Sequence, residues 1–160
     1  MAFRRVCTSA EATQRAGADF ADVLRAGDVV LLSGLLGAGK TTFVKGVARA
    51  LGVSGRVTSP TFTMVRQHDA HNDRGISLVH HADVYRVQSL GEVLDLDLGE
   101  LVEEDAVALV EWGDLAASVF GRDVLTLDFT TDADEDTRVI EAGGAVDAAR
   151  TLLLEHWSDA

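Results

Sequence analysis

Along the chain the hydrophobic positions switch between a helical period and unbroken or alternating runs. Over 8–25, Ala12, Ala16, Phe20, Val23 and Leu24 recur at helical spacing, with Thr8 or Ser9 as an N-cap and Glu11 just inside. This predicts an amphipathic helix. Gly27-Asp28 then turns the chain into Val29-Val30-Leu31-Leu32, the unbroken β-prone pattern of a strand buried on both faces. After a glycine-rich loop, 42–51 reads as a helix closed by Gly52, and 61–67 has the Phe, Val and Thr content of a strand. The His-, Asp- and Asn-rich stretch 68–75 predicts a turn. A returning strand over 76–84 completes an antiparallel hairpin.

The remainder continues the alternation. A short helical region around 88–94, an acidic connection over 100–105, a buried strand over 106–111 and a helix over 114–120 follow in turn. Strands are expected over 124–129 and 137–142. A last helix, 145–157, carries Val146, Ala149, Leu153 and Leu154 on or near one face. Strands interleaved with helices define an α/β protein with a mixed, partly parallel central sheet and an antiparallel hairpin. No repeat or Pro/Ser-rich linker interrupts it, and the one proline is Pro60. A single domain over 1–160 is expected.

Composition narrows the class. At 160 residues, 47% hydrophobic and 25% charged, the chain can build a core. No stretch approaches the roughly 18 apolar residues of a membrane span, and the N-terminus lacks a secretory pattern, so a cytoplasmic protein without membrane contact is expected. The lone Cys7 fits a reducing compartment. A net charge of −12 argues against long-range attraction to nucleic acid, so any RNA is expected to be held mainly by partners. Only two of the 14 basic residues are lysines, Lys40 and Lys45. A chain that avoids lysine yet keeps Lys40 inside a glycine loop is consistent with a chemical need for an ammonium there.

That loop is Gly34-Leu35-Leu36-Gly37-Ala38-Gly39-Lys40-Thr41, a complete phosphate-binding pattern between a buried strand and a helix. Small residues at 37–39 let backbone N–H groups turn toward phosphate oxygens, and the helix adds its positive dipole end. Gly34, Leu36, Gly37, Ala38, Gly39, Lys40, Thr41 and Thr42 are the expected ATP contacts. Lys40 would reach the outer phosphates, and the Thr41 hydroxyl would ligate Mg2+. The architecture expected is therefore a P-loop NTPase-like three-layer fold. The site needs a carboxylate ending a neighbouring buried strand, and Val107-Ala108-Leu109-Val110-Glu111 supplies one. Trp112 stands beside it.

Two further segments carry polar groups. Ser59, Pro60 and Thr61 form a hydroxyl-rich turn where nucleotide-sensing loops sit in many P-loop proteins; a plain proline loop is the simpler alternative. In His81-Ala82-Asp83-Val84-Tyr85-Arg86, alternation places His81, Asp83 and Tyr85 on one strand face. Asp83 is the candidate to order an attacking water or a metal-bound water, with Lys40 the other catalytic candidate, and Arg86 is suited to offset phosphate charge. The competing assignment is the solvent-facing side of an edge strand.

Together these motifs resemble the TsaE family of bacterial ATPases in tRNA threonylcarbamoyladenosine synthesis. The resemblance runs through Leu36-Gly37-Ala38-Gly39-Lys40-Thr41-Thr42-Phe43, Ser59-Pro60-Thr61-Phe62, His81-x-Asp83-x-Tyr85-Arg86, Glu92 and Glu111-Trp112, nearly the whole chain. It implies MgATP bound with Thr41 and Glu111 on the metal, a switch-like Ser59-Pro60-Thr61 segment, and Asp83 in hydrolysis. It also implies partner-dependent activity with the TsaD–TsaB pair, which carries the transferase. Leu35 stands where family members commonly have an acid, and Gly113-Asp114 replaces the usual Pro and acid after Glu-Trp.

Two other activities share such a loop. A small-molecule kinase would need an arginine-rich substrate lid, and the chain has no arginine between Arg86 and Arg122. A non-hydrolysing module would use ATP only to set shape and partner affinity.

Overall fold

In the computed structural model, which describes residues 3–35, 37–57, 65–84, 104–111 and 123–160, the chain begins with a strand that its sequence conceals. This strand, β1 (Phe3–Cys7), alternates perfectly between buried and exposed positions, but the central buried residue is Arg5 and Val6 faces out. Arg5 is tolerated inside because it is fully engaged. Its guanidinium donates to the Trp157 carbonyl at 3.1 Å, pairs with Asp19 at 2.8 Å and lies 5.7 Å from the Trp157 ring centroid.

Helix α1 (Ala10–Phe20) starts where expected, because Ser9 accepts a hydrogen bond from the Ala12 N–H. A short 3-10 turn over Ala21–Val23 ends it. Strand β2 (Val29–Ser33) and strand β5 (Ala106–Glu111) are the two apolar runs, and both are central in the sheet. Helix α2 (Lys40–Ala50) follows β2. Strands β3 (Val65–Asp69) and β4 (Leu78–Asp83) form the hairpin, then β6 (Leu125–Thr131) and β7 (Arg138–Gly144) precede helix α3 (Ala148–Asp159).

Most boundaries shift by a residue or more from expectation, and three of the differences are informative. The stretch 68–75 is not all turn: β3 runs through Asp69, and Arg66, Gln67 and Asp69 are exposed because β3 is an edge strand. Within the described residues the strand expected over 61–67 begins at Val65. Helix α3 begins only at Ala148, because the Asp147 side chain caps it, and the buried residues become Arg150, Leu154 and Trp157 while Leu153 is 38% exposed. The helices expected around 88–94 and over 114–120 fall outside the described residues.

The strand order is β1-β7-β6-β2-β5-β4-β3. The β2–β5, β2–β6 and β4–β5 pairs are parallel, whereas β1–β7, β6–β7 and β3–β4 are antiparallel. This is the mixed α/β sheet with an antiparallel hairpin that the pattern predicts. Because β2, β4, β5 and β6 run the same way, their carboxyl ends gather on one edge, the usual ligand edge of such sheets. Phe20, Phe43, Phe129 and Trp157 link the helices to the sheet through ring contacts of 5.4 to 5.7 Å. No helix among the described residues is long and apolar enough to cross a membrane.

Candidate functional site

The loop over 34–39 leaves the end of β2 and enters α2 within six residues, so it must bend sharply over the sheet edge. Gly34 takes φ 142°, and a Cβ there would lie 2.6 Å from the Phe129 carbonyl oxygen. Only glycine allows that approach. Gly39 is the N-cap of α2 in a left-handed conformation, and no side chain caps the helix. The first turn of α2 thus lacks a side-chain cap and points its N–H groups to the side where the helix dipole is positive, the usual place for an anion.

Lys40 is buried at 4% exposure, and its ammonium donates to the carbonyls of Gly34 at 2.5 Å and Leu35 at 3.1 Å. Burial pushes its pKa below the ordinary lysine value, while the carboxylates of Glu111 and Asp83 act in the opposite direction. The next residue completes the arrangement. Thr41 Oγ1 donates to Glu111 Oε1 at 3.1 Å and lies 3.2 Å from Oε2.

Parallel pairing brings the remaining groups in. Glu111 ends β5 opposite Leu32 of β2 on one side and Asp83 of β4 on the other. Two acids thus sit side by side at neighbouring strand ends, and both are buried. His81, fully buried, contacts Glu111 Oε2 through Nε2. An ionised carboxylate only accepts hydrogen bonds, so Nε2 is the protonated nitrogen when Glu111 is charged. The solvent-facing alternative for β4 is overturned: this strand lies between β5 and β3, and His80, His81 and Asp83 are all buried.

The structure therefore gathers Lys40, Thr41, His81, Asp83 and Glu111 around the glycine loop. Gly34, Gly37, Ala38, Gly39 and Thr42 line the same turn. Leu36, Ser59, Pro60, Thr61, Tyr85, Arg86 and Trp112 lie outside the described residues. One group was not foreseen. Arg138, at the start of β7, donates from Nη2 to the Gly37 carbonyl at 3.2 Å and helps line a cavity of about 120 Å3 with Ala10, Thr13, Thr42 and Asp136. Sequence spacing gives no hint of it, since 101 residues separate Arg138 from Gly37.

A buried parallel strand, a glycine loop, a helix and an acid-ended neighbouring strand define the P-loop nucleotide-binding class. Within that class the chain belongs to the TsaE family, since residues 7–140 match the family described as threonylcarbamoyl adenosine biosynthesis protein TsaE. The tRNA threonylcarbamoyladenosine biosynthesis protein TsaE of Treponema pallidum is 37% identical over 139 residues, covering 87% of this chain and 99% of the relative. Its counterpart in Streptomyces coelicolor is 52% identical over 99 residues, covering 61% of this chain and 65% of the relative. The crystal structure of Bacillus subtilis YdiB superposes with a TM-score of 0.77 at 30% identity, covering 99% of this chain and 95% of that one.

Proposed function

We propose that this chain binds ATP with Mg2+ and hydrolyses it as the accessory ATPase of tRNA N6-threonylcarbamoyladenosine synthesis, acting with the TsaD–TsaB pair. The observation that carries this reading is the Thr41–Glu111 contact beside the buried Lys40 ammonium. A hydroxyl and a carboxylate converging from α2 and β5 are hard oxygen donors. They fit Mg2+, which takes few protein ligands and fills its shell with water and phosphate oxygens. When bound, the ion neutralises charge on the outer phosphates.

The chain's own residues supply the rest. Lys40 exchanges its loop carbonyls for outer-phosphate oxygens, and the N–H groups of Gly37, Ala38, Gly39, Lys40 and Thr41 cradle them. Leu36 and Thr42 complete the expected ATP contacts, and the nucleoside end enters the cavity beside Thr42 and Arg138. Asp83 orients the attacking water and accepts its proton as the oxygen bonds to the γ-phosphorus and the bond to the leaving diphosphate breaks. His81 holds the Glu111 carboxylate toward Thr41. Ser59, Pro60 and Thr61 act as the nucleotide-sensing segment, and Tyr85, Arg86 and Trp112 are the remaining site candidates from the sequence. A cytoplasmic setting, where tRNA and its modifying proteins meet, accords with this role.

The test mixes the purified chain with TsaD and TsaB and follows phosphate release. Slow hydrolysis alone and faster hydrolysis in the mixture are expected, with Lys40→Ala inactive in both. No complex and no stimulation would sink the partner-dependent role.

A further inference from the structure

Four of the arginines in this acidic chain are neutralised where they stand. Arg5 pairs with Asp19, Arg25 with Asp147, Arg74 with Asp22 and Arg150 with Asp28. Arg4 and Arg66 carry no such pair among the described residues either, but Arg15, Lys45, Arg49 and Arg56 gather in one place. All four are exposed, and none forms an ion pair with a carboxylate among the described residues. They line two adjoining concavities of about 420 and 330 Å3 on the α1–α2 face, which share Gln14 and Arg49.

The helix crossing explains the shape. A Cβ at Gly17 would stand 2.0 Å from the Phe43 carbonyl oxygen, and one at Gly46 would stand 1.9 Å from that of Gln14. The backbones touch, and the floor is left to Ala18, Gly46 and Ala50. Lys45 and Arg49 stand one turn apart on α2 and project over the same side. Among the described residues Glu11 is the one carboxylate in either lining, so four cations face a single anion there in a molecule of net charge −12. The groove begins one turn beyond Lys40 along α2, separate from the phosphate loop.

We propose that this groove binds the phosphate backbone of RNA. Arginine forks match phosphate oxygens two at a time, and three of the four cations are arginines. No aromatic side chain among the described residues lines either concavity, so the described lining offers phosphate contacts indifferent to sequence rather than base stacking. An acidic protein segment fits less well, because peptide docking relies on a buried apolar anchor and this floor offers mainly small residues. The membership of the family in tRNA modification supplies an RNA of the right kind. The inference rests on that membership and not on ATP hydrolysis. The acidic remainder of the surface repels RNA, so the groove acts at short range and is best suited to RNA already delivered by partners.

The experiment measures binding of fluorescent bulk tRNA to the full chain by anisotropy, from low to moderate salt, for wild type and for Arg49→Glu/Arg56→Glu. Wild type is expected to bind with a log–log salt slope near −3, the value for about four phosphate contacts. The double variant is expected to bind at least about tenfold more weakly with a slope shallower by about two, while ATP affinity measured on the same samples is unchanged. Should charge reversal impair folding, Lys45→Gln/Arg49→Gln serves in its place. Equal tRNA affinity in variant and wild type, or no tRNA binding by wild type at low salt, overturns the proposal. Binding of poly-glutamate that tRNA fails to displace also overturns it and makes the groove a site for an acidic protein.

Discussion

Thr41 and Glu111 stand 70 residues apart, yet the threonine hydroxyl donates to the glutamate carboxylate across the gap between the first turn of α2 and the end of β5. The contact shows that the loop and the acid-bearing strand share one site before any ligand is considered.

Removing either partner should weaken Mg2+-dependent nucleotide binding. Thr41→Ala and Glu111→Ala are each expected to lower ATP affinity in the presence of Mg2+ by at least about tenfold, or about 1.4 kcal/mol. Binding without Mg2+ should change little. Calorimetry with and without the ion checks this, and equal losses in both conditions would exclude a metal role.

The polar partner of the His81 ring among the described residues is Glu111, so its effect should run through the carboxylate. His81→Ala is expected to raise the Mg2+ concentration needed for half-maximal ATP binding several-fold, with His81→Gln restoring part of it through its amide N–H. A shift in ATP affinity that is the same at every Mg2+ concentration would contradict this positioning role.

Asp83 shares a register position with Glu111 but belongs to a different strand, so binding and hydrolysis should separate there. For Asp83→Ala, ATP affinity should stay within about threefold of wild type while hydrolysis falls by roughly a hundredfold or more. Unchanged turnover would remove Asp83 from the chemistry.

Asp147 offers a pH prediction away from the site. It accepts the Arg150 N–H at 2.9 Å as the cap of α3 and grips the Arg25 guanidinium at 2.7 and 3.1 Å. The Arg25 hydrogen bond first, and the Arg150 N–H second, hold its carboxyl well below the ordinary value of 3.8. A folded-state pKa below the unfolded one means that the stabilisation is full above the unfolded value and fades as pH falls toward the folded one. Asp147→Ala should therefore lower Tm by a few degrees at neutral pH, with the difference narrowing below about pH 4. A difference that stays constant from pH 7 to pH 3 would contradict it.

The helix crossing gives a packing prediction. Gly46→Ala forces a methyl group against the Gln14 carbonyl and is expected to destabilise the fold by at least about 2 kcal/mol. Gly143→Ala, whose methyl would meet nothing nearer than 3.5 Å, should cost far less. Urea denaturation of the two variants makes the comparison.

The central strands were legible because burial on both faces leaves only one kind of sequence, as in Val29–Ser33 and Ala106–Glu111. The phosphate loop was legible because its geometry admits few residues. Strand β1 was not, since Arg5 occupies a buried position that only the distant Asp19 and Trp157 make tolerable. Edge strand β3 was foreseen as the first arm of the hairpin, but its run through His68 and Asp69 was not, as exposure removes the apolar half of its alternation there. Arg138 is the clearest loss at the site: its approach to Gly37 depends on how β7 is laid into the sheet, a tertiary fact with no local signature.

Trp157 is also a built-in optical probe. Its indole is 2% exposed, donates to the Ala16 carbonyl at 2.9 Å and lies edge-on to Phe20, so its emission should be blue and should redden only when α3 leaves α1 and β1. The other tryptophan of the chain, Trp112, directly follows Glu111 in sequence. Replacing Trp157 with Phe leaves one fluorophore beside the candidate metal ligand, and replacing Trp112 leaves one that reports the joining of the two chain ends. Folding and ligand occupancy then become two separable colours of light from a single small protein.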